Sequence, residues 1–354
     1  MAESSKLLNR RQTLGWLSVG AALGWQPPIN LAQAPTDRVG AMDVMTREVS
    51  RSILRGLSFL AARQNEDGSF GTGVYGRNVA VTSLCAMAFV SNGSSPGRGP
   101  HGEIINRAIA YVQGQSSESG FINFTESTSR GPMYSHGFAT LFLAEVYGMS
   151  LQPQLREQLS RATALIVATQ NEAGGWRYQP RRDEADLSVT VCQLMALRAV
   201  RNAGVFVPNT TVDQAVEYIK RCQNPDGGFS YRVVEAGKSA FPRSAAAIVA
   251  LYSAGIYGGE EIRRGLDYLM QFPPTPDAFG KQSYYFYGQY YAVQAMWHAR
   301  GVYWKAWYPA IRDVLQLVQE ENGSWPASIS REFGTAMACL VLQMPQNYLP
   351  IFQR

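Results

Sequence analysis

Three acidic residues and one histidine are the side chains of this sequence best suited to acid–base chemistry. Asp183, Glu184 and Asp186 lie just before a predicted helix that begins at Leu187. A carboxyl group whose proton is held by its neighbours can serve as an acid catalyst, and the imidazole of His136 can exchange a proton near neutral pH. Asp183, Asp186 and His136 are therefore the candidate catalytic residues.

Two of these residues also have a structural alternative. Asp186 could cap the helix that begins at Leu187 by accepting a backbone N–H. His136 follows the run Met133 to Ser135 at the mouth of a predicted helix, where it could bond a neighbouring repeat and lock a loop. The sequence leaves the catalytic and the structural roles open.

A second group of residues is of the kind that lines ligand cavities. Aromatic side chains are dense between Tyr284 and Tyr308, where they could stabilise a cation or stack on a sugar, or instead fill the core between repeats. The candidate ligand-binding residues are Tyr134, Trp176, Arg243, Tyr287, Tyr291 and Glu332. We expect Asp186, His136 and Arg243 to form the polar end of the cavity. We expect Tyr287, Tyr291 and Trp176 to form part of its apolar wall.

An internal repeat predicts the elements that hold these residues. Nearly the same phrase occurs at Gln64 to Phe70, Gln170 to Trp176, Gln223 to Phe229 and Gln319 to Trp325, with weaker copies after Gln113 and Gln271. Each clear copy follows an amphipathic run and supplies Asn, Asp or Gly where a helix must end. A period of roughly 50 residues indicates stacked supersecondary units.

Between the repeated turns lie segments that are rich in small and apolar residues on all sides, as buried helices are. They span 79–90, 138–147, 187–201, 244–254, 287–298 and 334–342. Buried helices that alternate with amphipathic ones predict an all-α fold, an (α/α)6 toroid. All inner helices would start at one rim, so the loops before them would bring the polar residues together over an apolar funnel.

The repeated phrase, Gln-x-x-x-Gly-x-Trp/Phe after a short helix, resembles the QW repeat of squalene and oxidosqualene cyclases. Protein prenyltransferase β subunits share this repeat in looser form. The resemblance extends over about residues 50–345 and implies a terpenoid cyclase/protein prenyltransferase-like barrel. A shared fold does not fix a shared function, so function has to be argued from the site.

The residues that would carry the reactions of that family differ here. Its cyclases protonate their substrate with an Asp-x-Asp-Asp motif, and the matching run Asp183 to Asp186 has Ala185 at the place of the proton donor. Its prenyltransferases hold zinc with Asp-x-Cys and a His-Thr pair. Ser188 stands where the cysteine would be, and Phe333-Gly334-Thr335 contains no histidine. The resemblance thus implies no metal site, and we expect no cofactor.

Three functions agree with these observations. We favour the binding of an apolar or isoprenoid-like molecule in a central cavity by a prenyltransferase/squalene-cyclase-repeat protein. A carbohydrate-active hydrolase or lyase on the same kind of toroid would need two inward-facing carboxylates about 5 to 10 Å apart. A non-catalytic scaffold or binding module would have a solidly packed centre.

The first 34 residues have the features of an export signal. Lys6, Arg10 and Arg11 precede the moderately apolar run 13–25, and residues 32–34 form an A-x-A cleavage site. We expect an exported, periplasmic protein, carried by the twin-arginine route, with one toroid over residues 35–354. The alternative is a basic amphipathic helix that stays attached.

The composition limits the partners that we expect. The net charge of +5 comes from scattered basic residues, which does not favour nucleic-acid binding. Contact with a membrane surface is left open but is not indicated. The sequence does not fix the oligomeric state.

Overall fold

The computed structural model describes residues 45–127, 129, 131–150 and 152–353, so the predicted export signal lies outside the described residues. Within those ranges the chain forms helices and isolated β-bridges but no strands. None of the described helices is both long and apolar enough to span a membrane. The described chain is therefore all-α, as the sequence predicts.

In chain order the α-helices are α1 (Arg47–Ala61), α2 (Val79–Val90), α3 (Gly102–Gly114), α4 (Pro132–Tyr147), α5 (Gln154–Thr169), α6 (Leu187–Asn202), α7 (Asn209–Arg221), α8 (Phe241–Ser253), α9 (Glu260–Leu269), α10 (Pro276–Lys281), α11 (Tyr285–Ala299), α12 (Gly301–Val318) and α13 (Arg331–Leu342). Short 3₁₀ turns are formed by Gly73–Tyr75, Val233–Glu235, Met344–Gln346 and Pro350–Phe352.

The helices form two concentric rings. In the inner ring, α2, α4, α6, α8, α11 and α13 contact one another in that order, and α13 returns to α2. The outer helices α3, α5, α7, α9 and α12 each pack on the inner helix that precedes them, and α1 packs on α13. This is the predicted (α/α)6 toroid, with its last pair built from the two ends of the chain.

Several inner helices begin earlier than their apolar pattern predicts. The helix expected from residue 138 begins at Pro132, and the one expected from residue 244 begins at Phe241. Both have proline in the first turn, where its missing N–H costs nothing. Their first turns carry polar residues that face the end of the ring, so the apolar run starts one turn late.

The repeated turn joins each repeat to the next. Gln170 Nε2 donates to Gly174 O within its own turn and to Thr211 O at the start of α7, both at 2.9 Å. Gly174 has φ +93°, and a Cβ atom there would lie 2.2 Å from Gln214 O, so only glycine fits. The same pair of glutamine bonds is made by Gln64, Gln223 and Gln319.

The chain after α13 closes the end of the ring at which the inner helices finish. Ile351 N–H donates to Glu145 Oε2 at 3.3 Å, and Arg198 Nη2 donates to Gln353 O at 3.1 Å. Phe352 is fully buried, with its ring 6.4 Å from that of Tyr290. We call residues 349–353 the C-terminal plug.

Candidate ligand-binding cavity

A cavity of about 1150 Å³ opens at the end of the toroid where the inner helices begin. Its wall is made by the first turns of the inner helices and by the loops that precede them. Its volume is at the upper end of those that hold drug-sized ligands in proteins. The loops therefore converge on one rim, as the repeat predicts.

The cavity wall has two chemically different halves. The apolar half, which also includes Tyr75 and Asn78, comes from α2, α13 and the loops before them: Val74, Ala80, Val81, Leu84, Ile329, Phe333 and Met337. The tyrosine half comes from α4, α6, α8, the end of α9, α11 and nearby loops: Tyr134, Tyr178, Ser188, Tyr231, Arg243, Tyr268 and Tyr287, beside Phe138, Phe241 and Phe272. A molecule with one hydrocarbon flank and one polar group would match both halves.

Asp186 lies behind the tyrosine half. It is fully buried and caps α6, where its Oδ1 accepts the N–H of Val189 at 2.9 Å. Burial raises the pKa of Asp186 to about 6, against the opposing effects of Val189, Tyr231 and Arg177. Its Oδ2 makes no hydrogen bond of normal geometry, so Tyr231 acts on it as a nearby dipole. The carboxyl group does not line the cavity.

Two tyrosines that sequence reasoning missed form the wall in front of Asp186. The hydroxyl oxygens of Tyr178 and Tyr231 are 2.5 Å apart, and both side chains line the cavity. Each stands two residues after the aromatic residue of a repeated phrase, Trp176 or Phe229. That shared offset was the available signal, because equivalent positions of neighbouring repeats lie side by side.

The structure places three of the predicted binding residues at the cavity: Tyr134, Arg243 and Tyr287. The guanidinium of Arg243 is held by the carbonyl oxygens of Phe229, at 2.9 Å from Nε, and Lys238. The Tyr287 hydroxyl has no hydrogen-bond partner among the described residues. The Tyr287 hydroxyl is itself buried, so this tyrosine contributes its ring to the wall and Arg243 contributes the charge.

His136 is not at the cavity surface. Its Nδ1 accepts the N–H of Ile122 at 3.1 Å, which leaves Nε2 to donate to Ala162 O at 3.3 Å. Burial lowers the pKa of His136 to about 4, so the ring is neutral at pH 7. In other repeats a hydroxyl accepts the equivalent N–H, as Thr190 does from Trp176 at 3.1 Å. His136 thus occupies the locking position between repeats.

Trp176 and Tyr291 were predicted to form the apolar wall, but both belong to the packed core. Trp176 is buried, and its Nε1 donates to Ile166 O in α5 at 2.7 Å, which points the indole away from the cavity. Tyr291 is buried against Tyr287, with ring centroids 4.9 Å apart. It supports the wall without reaching its surface.

The two remaining acidic candidates lie elsewhere. Asp183 is on an exposed part of its loop, where its Oδ2 is 2.5 Å from Arg181 Nε. Glu332 is buried and pairs with Arg63 Nε at 3.1 Å, while its other oxygen accepts from the Thr72 hydroxyl at 3.2 Å. Both pairings are with groups outside the cavity wall, so the structure does not bring these carboxylates together with Asp186.

The polar groups at the cavity do not form a metal site. Within the part of the chain that the structure describes, no group of His, Cys, Asp and Glu residues is arranged to hold a metal ion. The described lining residues include no Asp, Glu, His or Cys. The arrangement can donate hydrogen bonds from tyrosine hydroxyls and provide one positive charge.

Family models match two overlapping parts of the chain. The squalene-hopene cyclase C-terminal domain matches residues 140–284, and the prenyltransferase alpha-alpha toroid domain matches residues 43–163. Drimenyl diphosphate synthase of Streptomyces showdoensis is 30% identical over 182 residues, which are 51% of this chain and 32% of that enzyme. The namesake from Streptantibioticus cattleyicolor is 27% identical over 185 residues. The match spans about a third of these relatives.

Solved structures share the fold over nearly their whole length. The type II terpene cyclase MstE from Scytonema has a TM-score of 0.61 at 15% identity, covering 85% of this chain and 99% of that one. Cellobiose 2-epimerase from Spirochaeta thermophila has a TM-score of 0.64 at 13% identity, and the match covers 88% of this chain and 98% of that one. The GH76 mannanase from Bacteroides thetaiotaomicron has a TM-score of 0.62 at 8% identity, and the match covers 87% of this chain and 98% of that one.

Likenesses at such low identity show the architecture alone. The ring of paired helices with a cavity at one end defines an (α/α)6 toroid. The cyclase and toroid domain models, together with the match to drimenyl diphosphate synthase, identify its lineage. The chain belongs to the squalene cyclase and prenyltransferase superfamily.

Proposed function

We propose that this protein binds an apolar, isoprenoid-like small molecule in the central cavity. The observation that carries the proposal is the cavity itself, with its volume of about 1150 Å³ and a mainly apolar half. Each methylene group that leaves water for such a wall contributes about 0.8 kcal/mol. The name of a similar protein, drimenyl diphosphate synthase, supports a terpenoid ligand.

The residues at the α6 entrance favour holding this ligand over the two parent reactions. Ala185 is buried and offers only a methyl group where a cyclase has its proton donor; its carbonyl oxygen accepts the Tyr218 hydroxyl at 2.8 Å. Ser188 lines the cavity where a prenyltransferase has a zinc-binding cysteine. These replacements support a binding protein that lacks the usual acid and the usual zinc ligands.

The carbohydrate-active alternative has less support from the cavity. Some structural neighbours are an epimerase and a mannanase, but hydrolysis of a glycosidic bond uses two carboxylates that flank the substrate. The described residues that line this cavity include neither Asp nor Glu. A scaffold role was expected to have a packed centre, and a large cavity does not favour it.

Native mass spectrometry of the protein purified from its own envelope tests the proposal. We expect an apolar adduct that organic extraction removes, or uptake of added farnesol, geranylgeraniol or squalene. Ala80→Phe places a ring into the cavity from α2 and should reduce the adduct. Ala173→Phe, on an exposed turn, is the matched control and should retain it.

Two results would overturn the proposal. One is a wild-type protein that carries no adduct and takes up none of the three probes. The other is an Ala80→Phe variant that folds like the wild type and retains as much adduct as Ala173→Phe, because the ligand would then lie outside the cavity.

We also propose that the protein acts outside the cytoplasm. The support is the basic, apolar and A-x-A pattern within residues 1–34. Cell fractionation with N-terminal sequencing should find a mature chain that begins near Pro35. Changing both Arg10 and Arg11 to Lys should retain the precursor in the cytoplasm. Full-length wild-type protein found in the cytoplasm alone would overturn this proposal.

A further inference from the structure

The charged side chain in the cavity lining indicates what kind of head group the ligand carries. Among the described residues that line the cavity, Arg243 is the single charged side chain. Of the cations on nearby loops, Lys281 is paired with Asp277 at 3.2 Å, and Lys238 is exposed and lies outside the lining. No acidic side chain forms an ion pair with Arg243 in the described ranges. A half-buried guanidinium in this situation favours an anionic partner.

A second hydrogen-bond donor stands beside Arg243. Tyr268 lines the cavity and is only 6% exposed, and its hydroxyl makes no hydrogen bond with a described protein group. The two groups flank the same turn, because a Cβ atom at Gly228 would lie 2.7 Å from Tyr268 Cε2 while Arg243 bonds Phe229 O. Burial and the charge of Asp226 raise the pKa of Tyr268, and the charge of Arg243 lowers it. Two of the five guanidinium N–H groups of Arg243 already donate to carbonyl oxygens, so the free donors here are the remaining N–H groups, two of them on Nη1, and the tyrosine hydroxyl.

This polar corner lies across the ring from the apolar half. Arg243 is on α8, and α8 is the third inner helix from α2 in either direction around the ring. On α2, the facing wall is made by Ala80, Val81 and Leu84. A ligand that spans the cavity therefore meets a cation and a hydroxyl at one side and aliphatic groups at the other.

We propose that the ligand is a monoanionic isoprenoid acid, whose carboxylate binds Arg243 and Tyr268 and whose hydrocarbon chain packs against the apolar half. The inference rests on the function proposed above. One guanidinium neutralises one carboxylate, and the Nη1 group together with the tyrosine hydroxyl can serve its two oxygens. A diphosphate would bring more negative charge than this wall neutralises, and excess buried charge is costly.

Three probes with the same chain and different heads test the inference: farnesoic acid, farnesol and farnesyl diphosphate. Their dissociation constants are measured by isothermal titration calorimetry with the whole protein, without added metal. We expect farnesoic acid to bind at least about tenfold more tightly than farnesol, as expected for a charge-assisted hydrogen bond. Farnesyl diphosphate should bind more weakly than the acid.

The variants separate the head group from the chain. Arg243→Gln should reduce the affinity for the acid to that for farnesol and leave farnesol binding unchanged. Tyr268→Phe keeps the ring that packs on Phe272. It should reduce the affinity for farnesoic acid several-fold and leave the affinity for farnesol unchanged. It keeps the inference testable even if Arg243→Gln does not fold. Ala173→Phe is again the control for the assay.

The outcomes distinguish this inference from the proposed function. Equal binding of acid and alcohol to the wild type, or tighter binding of the diphosphate, would overturn the monoanionic ligand and keep an isoprenoid site. If none of the three probes binds, the isoprenoid function itself fails, and the acid with it.

Discussion

The two ends of the toroid are built from the same inner helices but treat their polar groups in opposite ways. At the open end, the Tyr287 hydroxyl has no partner among the described residues, and Arg243 lines the cavity without an ion pair there. At the closed end, Glu145 and Arg198 bond the backbone of the C-terminal plug. The closed end also has buried polar atoms without a partner among the described residues, such as Arg198 Nε. The two ends therefore differ in what their bonded groups hold: those of the closed end fix the chain, and the open end borders a cavity.

The largest effect should come from breaking the closed end. Phe352→Ala removes a fully buried ring from the C-terminal plug and should cost about 3–5 kcal/mol of unfolding free energy. Phe206→Ala removes a ring that is 82% exposed and should change stability by less than about 0.5 kcal/mol. Urea denaturation measures both variants. Equal losses would contradict the role of the plug.

The next effect concerns the charge that the closed end holds. Burial raises the pKa of Glu145 from 4.5 to about 7, so its contribution to stability is present below pH 4.5 and is lost as the pH rises through 7. Glu145→Gln keeps an acceptor for Ile351 N–H but cannot ionise. It should be about 3 kcal/mol more stable than the wild type at pH 8 and nearly equal at pH 4.

Denaturation at several pH values provides the check. The difference in unfolding free energy between Glu145→Gln and the wild type should increase from pH 4.5 to pH 8. A constant difference across that range would show that Glu145 keeps its ordinary pKa in the folded protein, and the closed end would then hold a charge without penalty.

The smallest effect compares one hydroxyl from each end. Tyr308 donates to Leu342 O at 2.8 Å where α13 ends, so Tyr308→Phe should cost about 1 kcal/mol. Tyr287→Phe removes a hydroxyl without a partner, and stability should stay within about 0.5 kcal/mol or rise. Thermal unfolding without ligand should separate the two variants. Similar losses would contradict the difference between the ends.

The architecture was predictable because its signals are local and recur. Gln170 and Gly174 recur with the same spacing in four phrases, and the side-chain amide of Gln170 bonds only within the turn and to the next outer helix. A repeat repeats its contacts, so one phrase predicts the others. The pairing of α1 with α13 follows only when the whole ring is assembled.

The cavity residues were only partly predictable. Tyr134, Arg243 and Tyr287 reach the cavity as expected. His136 does not, because its neighbours Ile122 and Ala162 supply backbone partners that the sequence cannot show. Inner helices that are apolar all round have no polar face to mark which side points inward. Tyr287 reaches the cavity and Tyr291, one turn further along the same helix, does not. How far the cavity extends along a helix is fixed only when the ring is assembled.

The joining of the two chain ends has a consequence for how this molecule is made. Gln319 reaches Ser52 across 267 positions of sequence, and α1 rests on the last inner helix. During synthesis the first helix therefore remains without its partner until almost the whole chain has emerged. Contacts this distant in sequence form slowly and leave apolar surface exposed in the meantime. A circular permutant opened at another turn would shift that waiting period to a different pair of helices.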